Sequence, residues 1–315
     1  MENKKDIKAL ISEYFIFIIF VALVVVLTIM KPSFISGRNL GNILKQASIN
    51  GILAFGMMFV IISGGFDMSV GSTLAFAGVL AALLGKGQVP LIVPMLVAMI
   101  AGLGVGILNG VGIAVGNLPA FIMTLGTQTG IRGLALLVCG GNPVTGLSEQ
   151  YRAIAAGTIL GIPNLAVFLI VVIIICSFVA TKTVYGRRVY SCGGNVQAAR
   201  VAGINTSFIR VSTFAIAGLL AGLCGFLMTS RVTIGQPTAG ESYEMDAITA
   251  CVVGGVSMSG GVGKPWGVII GTLLITVIAN GLDILGVSAY WQKIIKGLII
   301  VGAVLMDVKG KGRKN

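Results

Sequence analysis

The chain is a succession of long uncharged runs, and most of its lysines and arginines sit at the ends of those runs. Apolar stretches of that length satisfy their backbone polar groups as helices in lipid, while terminal cations reach the head groups. Composition agrees: of 315 residues 56% are hydrophobic, 10% are charged, 46 are glycine, and the mean hydropathy is +1.01. Soluble domains are about a quarter charged, so a soluble enzyme is excluded. The net charge of +12, from 22 basic against 10 acidic residues, would suggest nucleic acid only if the cations formed a patch on a polar surface. They do not, and no nucleic-acid partner is expected. The absence of histidine removes the commonest general base and metal ligand. The five cysteines (139, 176, 192, 224 and 251) are odd in number, have no C-x-x-C spacing, and read as packing residues.

The uncharged stretch Tyr14 to Met30 is 17 residues, about the minimum for a tilted helix across a core of roughly 30 Å. No small-x-small cleavage site follows in Lys31 to Arg38, so a retained span is expected rather than a signal peptide. Further spans are predicted at 47–64, 70–85, 89–108, 119–138, 162–181, 211–229, 247–258, 265–282 and 290–306. The fold class is therefore all-α, a polytopic transmembrane bundle of about ten spans. Its expected layout is a cytoplasmic segment 1–13, a membrane domain 14–306 with a cytoplasmic loop 182–210, and a basic tail 307–315.

Orientation follows from the cations, because short Lys- and Arg-rich loops stay cytoplasmic. The loop 182–210 carries Lys182, Arg187, Arg188, Arg200 and Arg210 with no acid, and both termini are also basic. Ten spans place all three on one side, with both termini cytoplasmic and the segment Ile234 to Asp246 outside. One loop departs from the rule: 31–46 carries Lys31, Arg38 and Lys45 yet falls on the outer side.

An internal echo links Gly64-Gly-Phe-Asp-Met-Ser-Val-Gly71 with Gly254-Gly-Val-Ser-Met-Ser-Gly-Gly261, five identities in eight positions. Chance between two glycine-rich tracts is one reading, and a duplicated bundle with a pathway between its halves is the other. Both segments break a helix in or beside the membrane, where lipid cannot satisfy free backbone groups. Asp67 and Ser69, or Ser257 and Ser259, are residue types that cap helix N-termini. Asp67 is expected to lie deep, either as a cap or in contact with a proton or solute. The spacings Gly102-x3-Gly106-x3-Gly110 and Gly267-x3-Gly271 suit close helix approach. Gly260 to Lys264 superficially resembles a phosphate loop, but Met258 and Pro265 replace its required first glycine and Ser or Thr. No nucleotide or other cofactor site is therefore expected on this chain.

Within the basic loop, Asn195 is a good N-cap, Val196 to Ala202 can form two helical turns, and Gly203 suits the left-handed terminal position. Ala198, Ala199 and Ala202 are small and Arg200 is available at the surface, so this element fits a groove on a partner. The alternative is an ordinary basic loop that only fixes topology.

Several motifs in order carry a resemblance from about Phe34 to Asp307. They are Asn50 to Met57, Gly64 to Gly71, Leu118 to Thr127 with Arg132-Gly-Leu-Ala-Leu, Tyr185 to Tyr190 with Gly193 to Gly203, and Tyr243 to Ile248 with Gly254 to Gly263. In these the chain resembles the permease subunits of bacterial ATP-binding-cassette sugar importers of the ribose-permease type. The resemblance implies about ten helices, a homodimer or heterodimer of permeases in the inner or sole cell membrane, ATPase subunits holding ATP and Mg2+, and an extracytoplasmic sugar-binding protein. The family's coupling segment, of the form E-A-A-x-x-x-G, reads Gln197-Ala-Ala-Arg-Val-Ala-Gly203 here. It assigns ATPase coupling to Gln197, Ala198, Ala199 and Gly203, with Gln in place of the acid. Asp67, Ser69, Ser257 and Ser259 are carried over as the helix-break region lining or supporting the pathway. The rival readings are an ion-coupled secondary transporter using Asp67 and Asp283, and a membrane enzyme, for which no catalytic constellation is visible.

Overall fold

The computed structural model describes the backbone of residues 2–87 and 89–312, and the side chains of residues 16–87, 89–302, 304 and 305. Thirteen α-helices make up the described chain: α1 Glu2–Met30, α2 Gly37–Ile62, α3 Val70–Gly85, α4 Ile92–Ala114, α5 Ala120–Val138, α6 Glu149–Ala156, α7 Asn164–Lys182, α8 Val184–Gly194, α9 Val196–Val201, α10 Thr206–Val232, α11 Tyr243–Val253, α12 Pro265–Ile284 and α13 Ala289–Gly312. A 3-10 turn, Pro32–Ile35, joins α1 to α2. A two-stranded hairpin, β1 Thr158–Ile159 and β2 Ile162–Pro163, precedes α7.

All ten predicted spans correspond to helices of this set. Six of these, α2, α4, α5, α7, α10 and α12, are long and apolar enough by themselves to cross a membrane. The chain is a multi-pass membrane protein, with leucine, isoleucine and valine exposed along α4, α5 and α7 where lipid would cover them. The boundary expected at residue 13 is not a break in the helix, since α1 already runs from Glu2. The tail from 307 likewise begins inside α13.

The core is built on α2 and α10. From Ala47 to Ile62 every residue of α2 is buried. Glycines bring the backbones of α4 and α10 together: Gly102 lies against Gly218 and Gly222, Gly106 against Phe214, and Gly110 against Val211. Lipid gives helices no hydrophobic reason to associate, so close van der Waals approach at small residues holds such pairs. Gly267 and Gly271 do the same for α12 against Ala250 of α11 and Gly254 at its C-terminal end. The cysteines are all free, and four of the five are buried as packing residues.

The span expected at 247–258 requires correction. The helix there is α11, only 11 residues, ending at Val253 because Gly254 and Gly255 close it. At 1.5 Å per residue it rises about 16 Å, half a hydrocarbon core. The preceding loop supplies the remaining depth. Gly235 exchanges two backbone hydrogen bonds with Val144 (2.8 and 2.9 Å) and packs against Ala82 near the end of α3, whereas Gly240 lies against Gly71 in the first turn of α3. The loop thus runs down the side of α3, and α11 starts beside the N-terminal turn of that helix.

Candidate functional site

The basic loop folds into two short helices. Asn195 Oδ1 accepts the Ala198 N–H (2.9 Å) and starts α9, while Gly203 at φ +77° ends it, with Gly203 and Ile204 N–H groups donating to Arg200 and Ala199 carbonyls. Gln197, Ala198, Arg200 and Val201 are exposed, Val201 at 91%. Ala199 is buried, so it seats the helix while its neighbours form the outward surface. Arg200 Nε donates to Thr206 Oγ1 (3.1 Å), tying α9 to the first turn of α10.

Helix α8, which no apolar run announces, fixes this platform to the bundle. Tyr190 Oη donates to the Gly263 carbonyl (2.8 Å), and Tyr185 Oη bonds Ser212 Oγ (2.8 Å). Burial raises the pKa of the Tyr190 phenol, so it stays protonated and able to donate at physiological pH. At the end of α8, Gly193 touches the Ile62 carbonyl and the Gly261 amide, and Gly261 N–H donates to that same Ile62 carbonyl (2.9 Å). Three chain segments therefore meet at one backbone junction: the end of α8, the end of α2 and the loop after α11.

The two echoed segments meet at this junction and share local structure. Helices α2 and α11 end in the same Schellman arrangement, with Gly64 at φ +88° and Gly255 at φ +83°, and the N–H groups of Gly65 and Val256 reaching back to Val60 and Cys251. Two or three residues later the same turn recurs. Asp67 Oδ1 accepts the Ser69 N–H (2.8 Å), and Ser257 Oγ accepts the Ser259 N–H (3.4 Å).

Their roles as caps then diverge. Asp67, 1% exposed, holds the residue that precedes α3 and also accepts Ser69 Oγ–H (2.6 Å). Ser69 spends its hydroxyl on Asp67 and accepts from Asn109 Nδ2 (2.8 Å) instead of capping α3 itself. Ser257 and Ser259 do not cap α12, contrary to the sequence expectation. Left-handed Gly260 and Gly261 extend the loop, and α12 opens at Lys264 and Pro265, whose fixed φ suits a first helical position. Ser257 is buried and Ser259 exposed. Asp67, Ser69 and Asn109 thus form one cluster, with the serine pair on the adjoining loop.

A second polar cluster was not anticipated. Glu244 and Asp246 at the start of α11 are buried at 5% and 7% exposure. Glu244 Oε1 accepts from Gln128 Nε2 (3.3 Å), its other oxygen lies against Gly71, and Asp246 Oδ2 pairs with Lys296 Nζ of α13 (2.8 Å). Arg132, one turn beyond Gln128 on α5, donates through Nη1 to the carbonyls of Pro237 and Ala239 (both 2.7 Å). The signal in the sequence was two acids at i and i+2 heading an apolar run; hydropathy alone assigned them to an outer loop. The arginine is what pins the descending loop. Arg132→Gln is expected to accelerate amide exchange over residues 234–241 by about tenfold or more, since hydrogen bonds to a charged donor contribute about 1.5–3 kcal/mol. Hydrogen-exchange mass spectrometry of the two proteins checks it, and helical content is expected to stay unchanged.

Among the described residues no group of three or more Cys, Asp or Glu side chains is placed to hold a metal. The arrangement offers instead an exposed platform joined through backbone contacts to two helix breaks, with polar clusters inside the bundle.

Residues 39–304 match a family model described as the permease component of branched-chain amino acid transport systems. The ribose import permease RbsC of Bacillus subtilis strain 168 is 43% identical over 289 residues, covering 91% of this chain and 90% of the relative. RbsC of Escherichia coli K12 is 39% identical over 306 residues, covering 96% and 95%. The galactose/methyl galactoside import permease MglC of Escherichia coli K12 is 35% identical over 331 residues, covering 99% and 98%. No solved structure matches the chain. With the family model spanning most of the sequence and relatives matching nearly end to end, the chain belongs to this family of transport-system permease components.

Proposed function

We propose that this chain is the membrane-spanning subunit of an ATP-driven importer, and that it forms with a second permease the pathway for a monosaccharide, ribose or a related sugar. The names of the ribose and galactose relatives support the sugar class. ATP and Mg2+ would be bound by partner ATPase subunits on the α9 side. A sugar-binding protein would dock on the opposite, extracytoplasmic side of the bacterial inner membrane, with both termini cytoplasmic.

The observation that carries the reading is the link from α9 through Gly193 to the ends of α2 and α11. An ATPase that moves α9 would displace Gly193, and the displacement would pass to both helix breaks together. Asp67 and Ser69 hold the start of α3, and Ser257 and Ser259 shape the second break, so these four residues support the pathway. This is a bistable element biased from a distant site, as coupling requires.

The test is purification in mild detergent from the native host, identification of co-purifying chains, and ATP hydrolysis measured with and without sugar-loaded binding protein. Sugar-stimulated hydrolysis is the expected result. Uptake that survives ATP depletion and collapses with the proton or sodium gradient would replace this reading with an ion-coupled one centred on Asp67. Radiolabelled leucine carried in place of ribose would move the substrate to the amino-acid class that the family description names. A Gln197→Trp/Ala198→Trp variant is expected to insert normally and lose sugar uptake by about tenfold or more, a loss of at least 1.4 kcal/mol in coupling. Unchanged uptake would remove α9 from the coupling path.

A further inference from the structure

The loop that breaks the positive-inside pattern finds its explanation at the end of the bundle remote from α9. There the first two turns of α2 and the β-hairpin bound a groove of about 520 Å³. Arg38 and Lys45 line it, seven residues and so two turns apart on one helix face. Among the described residues neither forms an ion pair, and no acidic side chain lines the groove. Leu40 and Leu44 line the same groove and are 44% and 41% exposed. Gly37 and Gly41 carry nothing over their backbone, so the α2 main chain is open to a ligand there.

We propose that this groove holds an anionic phospholipid, its phosphate between Arg38 and Lys45 and its acyl chains along Leu40 and Leu44. A free anion would neutralise the cations but leave the leucines bare; a sugar would do neither; a zwitterionic lipid would cover the leucines but bring no net charge to the pair of cations. Only a lipid of net negative charge meets both demands. The surroundings are those of a lipid-facing site. On the far side of the hairpin a second groove of about 400 Å³ is lined by Ile154, Ile159, Val167, Phe168 and Val171, with Asn164 its single polar residue. The hairpin tip is Leu160, held at φ 52° and 97% exposed. A leucine in a left-handed turn, with no protein over it, suits contact with hydrocarbon better than contact with water.

This assignment does not depend on the importer reading. Native mass spectrometry of the full chain in mild detergent tests it with phosphatidylglycerol, phosphatidylcholine of the same acyl composition, and glycerol phosphate. Phosphatidylglycerol is expected to be retained about tenfold better than phosphatidylcholine, as a charge-assisted contact requires. The Arg38→Gln/Lys45→Gln variant is expected to lose that preference, while Lys31→Gln, a nearby cation outside the groove lining, keeps it. Thermal unfolding of each variant in detergent shows that the fold is intact. Equal retention of the two lipids, an unaffected double variant, or glycerol phosphate binding as well as the whole lipid would each overturn the proposal. So would a double variant that keeps its lipid preference but no longer binds the sugar-loaded binding protein, which would make the groove a protein-docking surface.

Discussion

Gly193→Ala is expected to leave the protein inserted and folded while uptake falls by about tenfold or more, whereas Gly194→Ala retains uptake within about twofold. A Cβ at Gly193 would coincide with the Ile62 carbonyl and crowd the Gly261 amide; one at Gly194 meets nothing within 4 Å. The Ile62 carbonyl is not free to move aside, because it already accepts the Gly261 N–H at 2.9 Å. Alanine must either lift the end of α8 or open the bond that joins the two helix breaks. Overpacking of this kind typically costs 1–3 kcal/mol, enough to change the junction without unfolding thirteen helices. Uptake into proteoliposomes, measured beside the ATP hydrolysis of the assembled complex, separates the outcomes. Hydrolysis that persists while uptake is lost marks a broken mechanical link. A parallel fall in both with unaltered assembly would place Gly193 in ATPase activation instead, and equal behaviour of the two variants would remove the junction from the path.

Why this junction could not be read from the sequence is a matter of distance along the chain. Gly193, Ile62 and Gly261 lie in three separate segments, and the Gly193-Gly194 pair before Asn195 looks like any loop. What was legible is whatever depends on local chemistry. The α9 helix followed from an Asn cap and a terminal glycine seven to eight residues apart, and the structure repeats both. That α4 and α12 pack closely through glycine faces followed from their spacing, because a four-residue repeat puts small residues on one helix face, while the partners, α10 and the end of α11, emerge only in the fold. The echo was legible as similarity, and its physical content is a shared helix ending followed by the same side-chain turn.

The failures share one cause. Hydropathy scores a residue by its type, and the cost of a buried carboxylate depends on its partners. Glu244 and Asp246 therefore pushed the predicted start of α11 four residues too late, when Gln128, Lys296 and the first turn of α3 in fact accommodate them. The same cause hid the descent of residues 233–242, where the Pro237 and Ala239 carbonyls are satisfied by Arg132, a cation on another helix. In the sequence Asn109 is one amide inside an apolar run. Its role in the Asp67 and Ser69 cluster, like the reciprocal 2.9 Å amide pair of Asn39 and Asn280, exists only once α4 and α12 are packed.

Gly218→Leu is expected to produce the largest loss of stability of any single substitution considered, and Gly104→Leu almost none. Gly218 sits where α10 crosses α4, and its Cβ position falls on the Gly102 carbonyl. Gly102 in turn faces the Gly218 carbonyl, and Gly222 faces Ala98, so the two backbones are mutually in contact along several turns. A flexible side chain could rotate away from a new leucine, but a helical carbonyl cannot without breaking its own ladder. The helices must separate, and with them go the contacts of Gly106 with Phe214 and Gly110 with Val211, which no hydrophobic force restores in lipid. The loss should reach or exceed the upper end of the 1–3 kcal/mol range for overpacking. Gly104 lies on α4, two residues from Gly102, with open space around it, so leucine there faces lipid and gains slightly in helix propensity. Thermal unfolding in one detergent compares the pair directly. A Gly104→Leu loss matching that of Gly218→Leu would mean that the α4 surface assigned to lipid is itself an interface, and the contact of α4 with α10 would no longer account for the stability of the core.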